Sequence, residues 1–166
     1  MNQRERRQFL IQSLLRERPQ YRKMEIPADE DEQRQLLRGL MNVRAPRRIG
    51  ADFLQVQDDY LQDETAAKGI TDLADLTPVQ PGLYLWQGDI TTLKCDAIVN
   101  AANSGMTGCY VPNHRCIDNA IHTFAGVELR LACAELNPPD RQKSRQRSIF
   151  PAGLCCTRSD LSSAVE

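Results

Sequence analysis

A chain of 166 residues with a formal net charge of −1 can hold one compact domain, or a small domain with a helical extension, and shows no excess charge for a polyanion-binding surface. No stretch approaches the roughly 20 apolar residues of a membrane helix, and the mixed-sign start, Met1-Asn2-Gln3-Arg4-Glu5-Arg6-Arg7, leads into no apolar core of signal-peptide length. A cytoplasmic protein is expected, with neither membrane nor nucleic acid as a partner and with its oligomeric state open.

The first 75 residues read as helical and polar. Phe9, Leu10, Leu14 and Leu15 recur at helical spacing in an Arg/Gln/Glu background, giving an amphipathic helix that ends at Pro19. Pro27-Ala28-Asp29 starts a second helix with Leu36, Leu37, Leu40 and Met41 as its apolar stripe. The acidic run 29–32 falls in its first turn, where the helix dipole favours it. A third helix spans roughly 51–66, with Phe53, Leu54, Tyr60 and Leu61. The basic run 44–48 lacks interleaved aromatics and reads as a solvated linker.

After the loop-rich stretch 71–82 the chemistry changes. Residues 83–87 form a short strand ended by Gly88-Asp89, and 94–99 form a mostly apolar second strand, as in a sheet buried on both faces. Residues 116–136 read as one long helix with Ile117, Ala120, Ile121, Phe124 and Leu129 among its apolar positions. Strand, loop, strand, loop, helix suggests an α/β sandwich with its ligand site at the strand ends. Of the six cysteines, Cys95 and Cys133 read as small buried hydrophobes.

Three short motifs carry candidate chemistry. Asp89, directly after a strand, can accept from an exocyclic amine while the Ile90 backbone N–H offers a donor to a ring nitrogen; Gly-Asp is equally a common turn pair. Asn100 and Asn103, with only alanines between them, let a ligand lie against the backbone and match a sugar's hydroxyls, or else form an Asn-rich turn. Cys109, His114 and Cys116 are three soft or borderline donors within eight residues, which fits Zn2+ with an open fourth position, although such a grouping also arises by chance. Asp118, at the start of the helix, can cap it, hold a ribose hydroxyl or orient a water. His122, one turn on and on the same face, reads as a packing histidine.

Together, Gly88-Asp89-Ile90, Asn100-Ala101-Ala102-Asn103-Ser104 and Cys109-x4-His114-x-Cys116-Ile117-Asp118 resemble a macrodomain of the zinc-dependent bacterial type, over roughly 34–136. Members are protein ADP-ribosyl hydrolases with an N-terminal helical extension. The resemblance implies a three-layer α/β/α sandwich, incomplete here, in which 1–75 is the helical extension and 76–136 the front half of the macrodomain. It implies that Asp89 and Ile90 hold the adenine of ADP-ribose, and that Asn100 and Asn103 contact ribose. Cys109, His114 and Cys116 would bind Zn2+, and Asp118 would stand where a catalytic or ribose-orienting carboxylate does, with Asn103 beside it as a catalytic candidate. The substrate would be an ADP-ribosylated protein. A non-catalytic ADP-ribose-binding module and a small zinc-binding interaction protein are the alternatives.

The resemblance stops at Leu136. Residues 137–147 have no apolar period, and 155–166 suggest no secondary element. Regrouping the last base of each codon with the first two of the next lets 139–151 read Gly-Gln-Ala-Lys-Ile-Thr-Pro-Ala-Phe-Asn-Leu-Pro, close to the family's continuation. A frameshift near Asn137 is therefore expected, making 137–166 an out-of-frame, disordered tail on a truncated macrodomain. Such a chain is expected to leave apolar faces uncovered, to fold poorly, and to have weak activity or none.

Overall fold

The computed structural model describes residues 1–137 and the backbone of 153–156. The chain opens with three helices, α1 (Gln3–Arg16), α2 (Glu30–Val43) and α3 (Ala51–Lys68). Local chemistry sets their starts. Asn2 and Glu5 form a reciprocal capping box at α1, with both bonds at 2.9 Å. The Asp29 carboxylate accepts from the Asp31 and Glu32 backbone N–H groups at α2, behind the acidic first turn expected from the sequence. Each cap of this kind contributes about 1 kcal/mol.

The core among the described residues lies in this helical part. Leu10 and Ile11 of α1 are fully buried, and they pack with Leu37 and Leu40 of α2 and Phe53 and Tyr60 of α3. Polar groups at its edge are paired. The Arg7 guanidinium, 1% exposed, donates to Gln33 and reaches Glu30, while Arg44 makes a two-pronged pair with Glu17 at 2.8 and 2.7 Å.

Short strands follow. β1 (Thr71–Asp72) pairs in parallel with β4 (Leu93–Lys94), and β2 (Pro78–Gln80) pairs antiparallel with β3 (Leu83–Tyr84). β5 (Ala97–Asn100) pairs antiparallel with β6 (Gly153–Cys156). The α/β class and the leading helices are those expected, and the described strands pair two by two. Pairing at 153–156 is a correction to the reading of 155–166 as without secondary structure: strand β6 satisfies backbone groups along β5 that periodicity could not reveal. The rest of the expected out-of-frame tail lies outside the described residues.

Three further expectations are corrected. The strand at 83–87 is shorter, and the apolar run at 94–99 divides into β4 and β5. Those strands are not buried on both faces: the helix that starts at Ile117 packs beside β5, but Val99 remains 68% exposed and Leu83 55%. Cys95 and Cys133 are half-buried, not fully so, although burial still pushes the Cys133 thiol up.

The single long helix expected at 116–136 is two helices, α4 (Ile117–Phe124) and α5 (Val127–Leu136). Gly126, at φ 80°, turns the chain between them, and the Gln57 side chain of α3 accepts from the Val127 N–H at 2.9 Å. A Cβ on Gly126 would meet that same amide at 2.4 Å, so only glycine fits this break. Among the described residues no helix is long and apolar enough to cross a membrane.

Candidate functional site

Asp89 caps the 3-10 turn Ile90–Thr92. Its Oδ1 accepts from the Thr91 N–H at 3.0 Å and the Thr91 hydroxyl at 2.7 Å, and its Oδ2 receives Lys68 Nζ at 3.0 Å. Burial pushes this carboxyl up, but the bonds from Thr91 and Lys68 outweigh that and hold it below the usual carboxylate range. Lys68 also lies 3.2 Å from the centroid of the Phe124 ring. Ile90 and Thr91 line an apolar groove of about 560 Å³ whose other walls include Leu61, Ile98, Ile121 and Phe124. Its size and lining suit the ring of a small ligand.

Asn100 ends β5 and is 9% exposed. Its Nδ2 donates to Asp118 Oδ1 at 2.8 Å within the interior, while its own buried Oδ1 has no hydrogen-bond partner among the described residues. Asp118 stands in the first turn of α4, and one turn on, His122 Nε2 lies 3.6 Å from the same carboxylate. The expected packing histidine is thus buried as anticipated, and it is the third member of a buried Asn100–Asp118–His122 row. Asn103 is not part of that row. Its Oδ1 accepts from the Gly105 N–H at 2.9 Å and its Nδ2 donates to the Gly108 carbonyl at 3.1 Å, closing the loop 103–108. Gly108 has φ 81°, and a Cβ there would meet the His122 ring at 2.7 Å.

Burial lowers the His122 imidazole from 6.5 to about 4, Arg130 adding to the shift and Asp118 opposing it. The folded chain therefore binds fewer protons at this site than the unfolded chain between those two values. The stability contributed by neutral His122 is complete above pH 6.5 and is lost as pH falls toward 4, by up to about 3 kcal/mol. Urea unfolding over that range should show the decline in the wild-type chain and a shallower one in His122→Gln. Equal slopes would remove His122 from the account.

Cys109, His114 and Cys116 come together as the sequence spacing suggested, with their donor atoms within 4.8 Å of one another. Cys109 Sγ lies 3.5 Å from His114 Nδ1. Tetrahedral bonds of about 2.0–2.3 Å put neighbouring donors about 3.5–3.8 Å apart, so this cluster of two thiols and an imidazole can hold a metal ion with little rearrangement. Cys116 also serves as the N-cap of α4, where its Sγ accepts from the Asn119 N–H at 3.4 Å.

Sequence reasoning missed the groups that hold this loop. Arg38 and Asn42 of α2 bond to it from 76 and 71 residues away, and Arg130 of α5 reaches it from the other side. No local pattern marks them, because each is an ordinary polar residue of its helix.

No family model matches the chain. A protein-ADP-ribose hydrolase of Treponema medium is 62% identical over 138 residues, covering 81% of this chain and 53% of that protein. A protein-ADP-ribose hydrolase of Staphylococcus aureus (strain MRSA252) is 45% identical over 150 residues, covering 90% of this chain and 55% of that protein. A probable bifunctional ADP-ribose hydrolase/ADP-ribosyltransferase of Fusarium oxysporum f. sp. cubense is 38% identical over 133 residues, with 21% of it covered. The chain spans about half the length of the two bacterial relatives. It is related by sequence to proteins named for ADP-ribose hydrolysis.

Proposed function

We propose that the chain carries the adenosine-binding and zinc-binding part of a hydrolase that removes ADP-ribose from mono-ADP-ribosylated protein side chains. The observation that carries this reading is the Cys109–His114–Cys116 cluster, which ends at the N-cap of the helix bearing Asp118, whose carboxylate is bonded to Asn100 at the end of β5. The names of the relatives give the substrate class.

In this reading the adenine base enters the apolar groove next to Ile90, and its exocyclic amine donates to the Asp89 carboxylate, which the Lys68 and Thr91 bonds keep ionised. The Ile90 backbone N–H faces the ring nitrogen. Asn100 and Asn103 flank the ribose, Asn103 by way of the loop it closes. Cys109, His114 and Cys116 hold Zn2+, which when bound supplies Lewis-acid chemistry at a ribose or scissile oxygen or at a water. Asp118 accepts the proton of a ribose hydroxyl or of the attacking water, with Asn100 fixing its orientation.

One observation favours a second reading, a module that binds ADP-ribose without cleaving it. Asp118 is already bonded to Asn100 and only 7% exposed, which suits a structural carboxylate as well as a catalytic one. Release of ADP-ribose from a mono-ADP-ribosylated protein separates the two. In the hydrolase reading a chain that spans about half the length of its bacterial relatives acts weakly by itself. Whatever release is found should fall at least about 100-fold in Asp118→Asn, which keeps an acceptor for Asn100. Tight ADP-ribose binding with no zinc-dependent release would favour the binding module.

The proposal extends to residues 137–166 as the product of a shifted reading frame, supported by the peptide that the regrouped codons permit. The nucleotide sequence around Asn137 tests it: codons that cannot yield that peptide rule it out. A cytoplasmic location also stands as part of the reading.

A further inference from the structure

The three metal donors lie on a loop with no strand or helix of its own between Cys109 and Cys116. What fixes such a loop must come from outside, and here it comes largely from the helical extension. Arg38 Nη2 donates to the carbonyl of His114 at 3.0 Å and to Asn119 Oδ1 at 2.8 Å, with its Nε on the same oxygen at 3.2 Å. One turn along the same face of α2, Asn42 Oδ1 accepts from the Asn113 N–H at 3.0 Å, and its Nδ2 donates to Thr123 of α4 at 3.0 Å. Asn42 is 1% exposed and Asn119 fully buried, so the Asn42–Thr123 bond is shielded from water and the Arg38–Asn119 bonds partly so, while the bond from Arg38 to the His114 carbonyl lies at the surface.

The remaining donors are tied into the same network. Asn119 relays the contact to the loop by donating its Nδ2 to the Val111 carbonyl at 3.1 Å and its backbone N–H to Cys116 Sγ. Arg130 binds the carbonyls of Asn42 and Arg44 at the end of α2, and its other nitrogen reaches the Cys109 carbonyl at 3.4 Å. The backbone next to each donor is thereby referred to one helix.

We infer that α2 is the seat of the metal loop, and that Arg38 and Asn42 are positioning residues that set zinc affinity and the arrangement of the three donors. The helical extension is then part of the metal centre without supplying a ligand. This rests on the reading of Cys109, His114 and Cys116 as zinc ligands. Ordering a loop before its ligand arrives strengthens binding, and loss of such outer partners typically weakens metal affinity about 10–100-fold.

The test uses the full chain, with zinc affinity from competition against a chromophoric chelator, the visible absorption of the cobalt(II) form, and melting of the chelated protein. Arg38→Ala is expected to weaken zinc about 10–100-fold and to change the cobalt bands. Arg38→Lys should recover only part of this, because a single ammonium does not reproduce the guanidinium fork on both acceptors. Arg34→Ala, one turn before Arg38 on the same face but paired with Glu30, Asp31 and Glu64 and not with the loop, should bind zinc like the wild type. If Arg38→Ala does not fold, Arg38→Met, which keeps the aliphatic stem, is read against the same expectations. Wild-type affinity in a folded Arg38 variant, with only the chelated protein melting lower, overturns the positioning role alone. A wild-type chain that takes up no zinc overturns the ligand assignment and this inference with it.

Discussion

Cys116→Ser is expected to lose zinc almost completely while leaving the metal-free protein as stable as before. The reason is the double duty of Cys116, whose sulfur is one of three clustered donors and also the N-cap acceptor of α4. Serine is among the better N-caps, so the bond to the Asn119 N–H survives the exchange, but a neutral hydroxyl is a poor substitute for a thiolate on zinc. The fall in affinity should exceed the roughly 100-fold that changes to outer partners cost. Cys116→Ala removes both functions, so its metal-free form should lose a further ~0.5–2 kcal/mol through the cap. Cys109→Ser, at a position that caps nothing, should resemble Cys116→Ser. Metal analysis of purified variants, with urea unfolding in chelator, separates the two duties. Stoichiometric zinc retained by Cys116→Ser would sink the ligand assignment.

The same cluster shows what a sequence can and cannot reveal. Two cysteines and a histidine within eight residues are a local signal, and local spacing is enough to bring them together. The first three helices are legible for a similar reason: Asp29 before an apolar stripe, or the run from Ala51, carries its own periodicity and boundary. The division of α4 from α5 is not legible. Ala125-Gly126 sits inside an uninterrupted apolar pattern, and the break is completed by Gln57, a residue from another helix. The row Asn100–Asp118–His122 escapes for the same cause, since Asn100 joins it from the end of a strand. Composition alone pairs Asn103 with Asn100, yet the Asn103 amide is engaged in closing its own loop. The exposed Val99 shows a different limit: an apolar run reports that a strand can be covered, not by what.

A core truncation in α1 should be felt at the metal loop, although α1 bonds to none of the three donors. Ile11 is fully buried at the centre of the cluster that joins α1 to α2 and α3. Ile11→Ala removes buried carbon and leaves a cavity, at a cost of about 2–5 kcal/mol. For a chain of this size that lowers the melting temperature by roughly 5–20 °C. Leu85→Ala, at an 83% exposed position, should change stability by no more than about 0.5 kcal/mol. Because α2 holds the loop through Arg38 and Asn42, zinc should be released as the helical cluster melts, and not in a separate earlier step. Zinc at about 1,000 times its dissociation constant should in turn raise the stability of both wild type and Ile11→Ala by about 4 kcal/mol. Melting followed by circular dichroism, with a zinc indicator in the same cuvette, reads both events. A loop that gives up zinc well below the helical transition, or an Ile11→Ala cost under about 1 kcal/mol, would mean that the helices and the metal loop are energetically separate.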